Sequence, residues 1–355
     1  MRILIKVGSN LLRTGKGDLD LNFVSKLAQS IKDLKDLGDQ VLLVSSGAVL
    51  CGIKKMGLKE KPRDLITRQA LSGIGQAYLM HLYDTVFSNY GLTVGQVLLT
   101  NDVFLKENRN RFLNAKNTIE RMLEMDVVPV INENDTVAVG ELIFGDNDFL
   151  SVYVSYMMEV DLLVILSSAG GLLDDRGRVI PEVRNLEEAF SYVKGTGSDF
   201  GTGGMRSKLE ATRLALSIGI PVVITGKEDD LLKVRNLETK GTLFKPSRRV
   251  RPRLKTIAMI EEPKGAVYVD EGAVKALRSG KSLLPAGVIK VEGNFSAGDV
   301  VSVMDPGGIV VAKGKVNFSR DEIDRIKGLK GYQVKEILRT TKEEVIHRDN
   351  LIVFQ

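Results

Sequence analysis

The sequence predicts an α/β protein: a three-layer domain with a mainly parallel central sheet, followed by a small β-rich domain. Short apolar runs alternate with helical apolar stripes as far as Thr225, which is typical of a parallel sheet covered on both faces. Polar, glycine-containing segments follow several of the runs, where α/β proteins place functional groups. Beyond residue 264, four short strand-like runs are separated by glycine-rich turns.

The composition indicates a globular chain. Its 355 residues are 43% hydrophobic, enough for two or three domains with real cores. The start of the chain is too short and too charged for a signal peptide, and no apolar run approaches the roughly 20 residues that span a bilayer, so we expect a cytoplasmic protein. Cys51 is the single cysteine, and His81 and His347 are the two histidines. This excludes an internal disulfide, a thiolate cluster and a His-rich metal site, and no metal-ligating residue is predicted.

The net charge of +5 is concentrated in one place. Residues 245–255 hold six lysines and arginines and no acid. Pro246 and Pro252 lie in the same run and predict an extended linker. We place this linker at 248–263, between a larger domain at 1–247 and a β-rich domain at 264–345, with a tail at 346–355.

The helices and strands of the larger domain are predicted from the spacing of apolar residues and from the glycines that end them. A stripe over 24–34 predicts the first helix, ended by Gly38. Gly73-Ile-Gly75 falls inside a helical pattern and predicts close helix packing. The predicted strands are 2–7, 41–45, 94–99, 127–131, 161–166 and 220–225. The other predicted helices begin near Ala48, cover 63–90, 112–125 and 147–157, and run from the segment 201–208 to Gly219. In the β-rich domain, strands are predicted at 266–269, 287–291, 299–304 and 309–313.

Two acidic clusters stand out at 132–135 and 145–148. The first directly follows an apolar run and the second precedes another. Both clusters are therefore expected at the ends of buried elements, where chemistry is placed in α/β proteins. The alternative is a solvated β-hairpin over 136–144 whose rims are acidic.

Two lysines are candidates for phosphate binding. Lys6 ends a strand beside the turn Gly8-Ser9, although a lysine in this position is commonly a surface residue that snorkels to water. Lys208 follows three glycines at the start of a helix. The segment 201–208 is not a Walker P-loop, but backbone N–H groups, a helix N-terminus and one lysine can hold polyphosphate. The alternative is a glycine-rich loop that only turns the chain.

Taken together and in order, these motifs resemble the amino acid kinase family. They are Lys6-Val-Gly-Ser, Ser45-Ser-Gly-Ala, Ile131-Asn-Glu-Asn-Asp, Gly145-Asp-Asn-Asp and Gly201-Thr-Gly-Gly-Met-Arg-Ser-Lys. The C-terminal segment, with Val269-Asp-Glu-Gly-Ala and Ser282-Leu-Leu-Pro-Ala-Gly, resembles a PUA domain, so the likeness covers essentially the whole chain. It implies ATP- and Mg2+-dependent phosphorylation of the side-chain carboxylate of L-glutamate to L-glutamyl 5-phosphate, the first step of proline biosynthesis.

The resemblance also implies roles for individual residues. Lys6 and Lys208 correspond to catalytic lysines that contact the phosphates of ATP. Glutamate-binding positions are matched by Ser46, Asp135 and Asn147. The implied nucleotide-binding residues are Lys6, Ser167, Ser168, Thr202, Gly203, Gly204, Met205, Arg206, Ser207 and Lys208. Ser167-Ser168 stand where the family commonly has Thr-Asp, so position 168 supplies no carboxylate here.

The acidic clusters must suit an anionic substrate. Asp135 would repel the attacking carboxylate but would form a charge-assisted hydrogen bond with the α-ammonium of glutamate, and we predict the second. Asp146 and Asp148 could orient Lys208, hold water on Mg2+ or cap the following helix, and these alternatives stay open.

Several partners and rival functions accompany this prediction. The resemblance suggests a homo-oligomer, a dimer or a tetramer, feedback inhibition by proline and contact with glutamyl phosphate reductase, and no membrane is expected. Within the same fold, an N-acetylglutamate kinase or a nucleoside monophosphate kinase is the nearest alternative. The PUA-like domain and the basic linker raise a second one, an RNA-binding or RNA-modifying protein.

Overall fold

The computed structural model describes residues 1–15, 18–60, 62–138, 147–193, 204–247 and 249–354. The chain forms two compact units, the first made of residues 1–104, 108–215 and 220–245, and the second of residues 105–107, 216–219 and 246–355. Among the described residues, no helix is long and apolar enough to cross a membrane.

The first unit is organised around an eight-stranded sheet. Its strands are β1 (Arg2–Val7), β2 (Gln40–Ser45), β3 (Val94–Leu99), β4 (Val128–Glu133), β5 (Leu162–Leu166), β6 (Glu182–Val183), β7 (Val222–Thr225) and β8 (Thr242–Phe244). They are arranged in the order β3-β4-β2-β1-β5-β7-β8-β6. All neighbours are parallel except β7 and β8, which are antiparallel. The mainly parallel sheet predicted from the sequence is confirmed.

In the part of the first unit that the structure describes, eight α-helices accompany these strands. They are α1 (Leu21–Asp36), α2 (Ala48–Lys55), α3 (Leu65–Ser88), α4 (Arg109–Glu124), α5 (Asn147–Met157), α6 (Leu186–Ser191), α7 (Met205–Ser217) and α8 (Leu231–Arg235). Asp20 and Asp64 cap α1 and α3 by accepting from backbone N–H groups of the first turn. Gly38 follows α1 with a φ of +82°, as its predicted place after the helix requires.

Side chains of β1 alternate between the two faces of the sheet. Ile3, Ile5 and Val7 join a core with the apolar stripes of α1 and α3. The intervening residues, among them Lys6, point to the opposite face, where α5 contacts β1, β2, β4 and β5. The sheet is therefore covered by helices on both faces, and α5 lies on the face that Lys6 enters.

The carboxyl ends of the parallel strands meet at one edge of the sheet. Val7 is in register with Ser45 of β2 and with Leu166 of β5, and Leu166 is in register with Thr225 of β7. The polar segments that follow these strands are thereby brought to the same edge, which is where open α/β sheets bind ligands.

Helices α2 and α3 pack through their backbones. A Cβ atom on Gly75 would lie 1.8 Å from the carbonyl oxygen of Ala48, and one on Gly52 would lie 2.0 Å from that of Leu71. Only glycine permits this approach. The prediction that Gly75 serves helix packing is confirmed, and the close contact places α3 beside the start of α2.

The second unit holds a five-stranded sheet with its own core. Its strands are β9 (Gly265–Val269), β10 (Val288–Gly293), β11 (Val300–Met304), β12 (Val310–Lys315) and β13 (Leu351–Val353). Their order is β10-β9-β11-β12-β13, with β9 and β11 parallel and the other pairs antiparallel. Its helices are α9 (Pro252–Met259), α10 (Glu271–Arg278), α11 (Arg320–Ile326) and α12 (Gly331–Leu338). The four strands predicted in this region are confirmed.

Two segments differ from their prediction. An extended linker was expected at 248–263, but Pro252 opens α9, because the first position of a helix needs no N–H donor. Leu254 and Ile257 of α9 are buried. The tail expected from residue 346 instead supplies β13, whose Leu351 and Ile352 are buried beside β12.

Candidate active site

Two buried lysines share one buried carboxylate at the carboxyl edge of the first sheet. Lys6 Nζ lies 2.5 Å from Asp148 Oδ1, and Lys208 Nζ lies 3.0 Å from Asp148 Oδ2. The side chain of Asp148 is fully buried, and those of Lys6 and Lys208 are 3% and 8% exposed. Buried charges persist only when they are paired. The surface position considered for Lys6 is therefore wrong, because its ammonium is held inside the protein by Asp148.

Three elements bring this lysine pair together. Lys6 comes from β1, on the face covered by α5, and Asp148 is in the first turn of α5, where the helix dipole favours a negative charge. Lys208 is in the first turn of α7, which begins at Met205. Among the described residues, this cluster holds two ammonium groups and one carboxylate. It has the charge and the backbone N–H groups needed to bind an anion such as a phosphate.

A second group of polar side chains surrounds Asn147, the residue before Asp148. Asn147 Nδ2 donates to Ser46 Oγ at 3.0 Å and to Asn132 Oδ1 at 2.8 Å. Asn132 Nδ2 donates in turn to Gln76 Oε1 of α3 at 2.9 Å. The structure thus brings two of the predicted glutamate-binding residues, Ser46 and Asn147, into direct contact.

Asp135 follows β4 and is held against α3. Its Oδ2 accepts a hydrogen bond of 2.6 Å from Ser72 Oγ. Burial raises the pKa of the Asp135 carboxyl, although the Ser72 hydrogen bond and the charge of Arg68 act in the opposite direction. Arg68, Ser72 and Gln76 are four residues apart on α3, so all three lie on the face that packs along 132–135.

Adjacent residues at the start of α5 therefore serve two different environments. Asn147 faces neutral amides and a hydroxyl, whereas Asp148 faces the two lysines. Both environments lie at the same edge of the sheet. This arrangement can hold a polar zwitterion on one side and a phosphate group on the other.

The remaining predicted nucleotide-binding residues are spread along this edge. Ser167 is buried after β5, where its N–H donates to the Thr225 carbonyl at 2.7 Å, and Ser168 is exposed. Gly204 precedes α7, and Met205, Arg206 and Ser207 form its first turn. Thr202, Gly203, Asp146 and most of the predicted hairpin at 136–144 lie outside the described residues.

Several polar groups of the site were absent from the predicted set. The sequence leaves the role of Asp148 open between orienting Lys208, holding water on Mg2+ and capping α5. Its position directly after Asn147 is the feature that could have indicated a place in the site. Asn132 stands in the quoted 132–135 motif. Ser72 and Gln76 could have been found as polar residues spaced by four, in line with Arg68, on a largely apolar helix.

Comparisons with known proteins show the family of this chain. The family model described as the amino acid kinase family matches residues 1–226, and that of the PUA domain matches residues 265–338. The chain is 65% identical to a glutamate 5-kinase of Aquifex aeolicus over 355 residues, covering 100% of both chains. It is 42% identical to a glutamate 5-kinase of Thermus thermophilus over 361 residues, covering 99% of this chain and 96% of the relative.

A solved structure supports the fold of the first unit. Carbamate kinase from Giardia lamblia bound to AMP-PNP matches 69% of this chain and 98% of its own, with a TM-score of 0.50 and 15% identity. At this identity the likeness concerns the fold.

Proposed function

We propose that this chain, which belongs to the amino acid kinase family and carries a PUA domain, acts as a glutamate 5-kinase. It would transfer the γ-phosphoryl group of ATP to the side-chain carboxylate of L-glutamate, giving L-glutamyl 5-phosphate, the first step of proline biosynthesis. The observation that carries the proposal is the start of α5, where Asn147 adjoins an amide and hydroxyl subsite and Asp148 adjoins a lysine pair.

The attacking group is the substrate carboxylate. With a reference pKa of about 4.3, it is already ionised near neutral pH, so no general base is needed. The obstacle is electrostatic, because this anion must approach a phosphoryl group whose oxygens gain negative charge during transfer. Lys6 and Lys208, held together by Asp148, offset this repulsion from a buried position where water screens them little. The N–H groups at the start of α7 add to the same effect.

The fit for Mg2+ follows from the donor groups at the site. The described residues contain no cluster of three or more His, Cys, Asp or Glu side chains that could cage a metal ion. Both oxygens of Asp148 are engaged by lysines. These residues suit an ion that arrives with the nucleotide and keeps phosphate and water ligands, as Mg2+ commonly does. When bound, the ion would supply further positive charge at the phosphates.

The amino acid would be bound by the second subsite. Asp135 would accept from the α-ammonium. Ser46, whose Oγ accepts from Asn147, would donate its hydroxyl proton to a carboxylate. An N-acetylated substrate has no ammonium and would leave the Asp135 charge unmatched. This argues against the N-acetylglutamate kinase alternative.

Replacing Asp135 by asparagine tests the ammonium contact. We expect the KM for glutamate to rise about tenfold or more with a smaller change in kcat, because a charge-assisted hydrogen bond becomes a neutral one. The pKa of Asp135 is raised, so the wild-type KM should increase as the pH falls toward that raised pKa and the carboxylate takes up a proton. The variant should lack this component of the pH profile. An unchanged KM in Asp135→Asn would refute the ammonium role.

The proposed activity is tested by an ATP-dependent hydroxamate assay. L-Glutamate, N-acetylglutamate and aspartate are compared, each with and without proline. We expect hydroxamate formation with L-glutamate only. Formation with N-acetylglutamate alone would contradict the proposal.

Further features belong to the same proposal. The nucleotide would contact residues 167–168 and 202–208, the chain would form a dimer or tetramer, proline would inhibit at or near the glutamate site, and the labile product would favour contact with glutamyl phosphate reductase. The division into a larger domain at 1–247 and a β-rich C-terminal domain is likewise proposed. RNA binding by the PUA domain would show as salt-sensitive association.

A further inference from the structure

A chain of three side-chain amides connects α3, β4 and α5 beneath the proposed amino acid subsite. Asn147 Nδ2 donates to Asn132 Oδ1 at 2.8 Å, and Asn132 Nδ2 donates to Gln76 Oε1 at 2.9 Å. Gln76 and Asn132 are 7% and 3% exposed. Hydrogen bonds in such a buried setting are costly to lose, since water is not at hand to replace them.

The direction of this amide chain is set by a backbone group. The N–H of Glu133 donates to Asn132 Oδ1 at 2.9 Å. A backbone N–H can only donate, so the oxygen of Asn132 must face Glu133 and Asn147, and its NH2 group must face Gln76. Gln76 must therefore direct its side-chain oxygen toward the NH2 group of Asn132. Asn147 and Asn132 each donate toward α3, Gln76 accepts there, and none of the three amides can turn over without breaking a bond.

The fixed direction of the three amides determines which atom of Asn147 is left for the proposed substrate. Because the NH2 group of Asn147 is committed to Asn132 and Ser46, its carbonyl oxygen is the free end. Asn147 Oδ1 is buried and has no hydrogen-bond partner among the described residues. An acceptor in this position suits an ammonium group, which brings three N–H donors, better than the single N–H of an acylated amine.

We propose that Gln76 is a positioning residue for amino acid recognition: by accepting from Asn132, it keeps the Asn147 carbonyl oxygen turned toward the α-ammonium of the substrate. This inference rests on the proposed function and adds a specificity determinant to it. Gln76 acts through Asn132 and Asn147. The N–H of Glu133 sets which way the Asn132 amide faces, and the oxygen of Gln76 anchors its NH2 group. Without an acceptor at position 76, this buried NH2 group loses its partner, the Asn132 amide is held at one end only, and Asn147 is held less firmly.

The test compares Gln76→Met with Gln76→Glu. Methionine matches the length of glutamine but accepts no comparable hydrogen bond, so the KM for glutamate should rise about tenfold, with kcat and the KM for ATP within about twofold of wild type. Glutamate keeps an oxygen for Asn132 whether or not it is protonated, so Gln76→Glu should recover most of the loss. The ratio of kcat/KM for L-glutamate to kcat/KM for N-acetylglutamate should fall in Gln76→Met and recover in Gln76→Glu. A Gln76→Glu variant as impaired as Gln76→Met would overturn the proposal, as would an unchanged KM in Gln76→Met.

A double-mutant cycle separates positioning from general destabilisation. Asn132→Ala removes the amide group that links Gln76 to Asn147. Since Gln76 acts through that group, adding Gln76→Met to Asn132→Ala should change the KM for glutamate less than twofold. Additive effects would overturn the proposal. KM does not depend on the amount of folded enzyme, so partial unfolding does not imitate the expected result.

Gln29→Met is the matched control. Gln29 is an exposed residue of α1 that donates to Asp33, and its replacement should leave all kinetic constants unchanged. The hydroxamate assay on the wild-type enzyme distinguishes failure of the positioning role from failure of the proposed function. If wild type phosphorylates glutamate and Gln76→Met has a normal KM, the positioning role fails while the proposed function stands. If wild type does not phosphorylate glutamate, the proposed function fails first.

Discussion

Replacing Asp148 by asparagine is expected to lower kcat by at least about 100-fold, the largest loss among the site variants. An asparagine offers one oxygen, so it can accept from one lysine, and its NH2 group would face the other ammonium. The two buried lysines would then repel each other without a carboxylate between them. Steady-state kinetics at saturating ATP and glutamate measures this loss.

The same variant should be less stable. Removing one partner of a buried ion pair commonly costs about 3–5 kcal/mol, because the remaining charge is left uncompensated. We therefore expect a lower Tm that ATP partly restores, since the phosphates would replace the missing negative charge. A variant with near wild-type turnover would refute the organising role of Asp148.

Asp39→Asn is the control for a buried carboxylate outside the site. Asp39 is buried and accepts from Arg235 Nη2 at 3.1 Å. It directly precedes β2, at the amino edge of the sheet and thus away from the carboxyl edge where Lys6 and Lys208 meet. Its replacement should lower the Tm but leave kcat close to wild type.

Replacing Lys208 by alanine is expected to lower kcat about 100-fold while changing the KM for glutamate less than about threefold. The change removes one of the two buried ammonium groups at this edge of the sheet and leaves Lys6 paired with Asp148. That charge acts on the phosphoryl group as negative charge develops, so its loss affects the transition state more than glutamate binding. A kcat equal to that of the wild type would refute the role of Lys208 at the phosphoryl group.

Lys32→Ala provides the matched control for loss of a lysine. Lys32 lies on α1, where it pairs with Asp36 on the surface, and its side chain is 37% exposed. Surface pairs of this kind contribute little to stability. Both kcat and KM should therefore stay at their wild-type values, and a loss comparable to that of Lys208→Ala would point to a nonspecific charge effect.

Local patterns were sufficient for most of the fold. The apolar run of β1, the stripe and final glycine of α1, and the polar start of α5 each lie within a few neighbouring residues, where periodicity and capping act. The extended linker predicted around residue 252 was wrong, because proline suits both an extended segment and the first turn of a helix. The strand at Leu351–Val353 is three residues long, too short for a periodic signal, and it is set by pairing with β12.

Local sequence patterns were enough to predict most of the helices and strands, the mainly parallel sheet and the motifs that carry the family resemblance, with Lys6, Ser46, Asp135, Asn147 and Lys208 as candidates. Which groups these residues contact depends on the three-dimensional fold. Asp148 joins Lys6 of β1 to Lys208, which lies 60 residues after Asp148. The N–H of Glu133 fixes the direction of an amide chain that ends on α3. The physical reason is that ion pairing and hydrogen-bond direction depend on long-range contacts, whereas periodicity and capping depend on near neighbours.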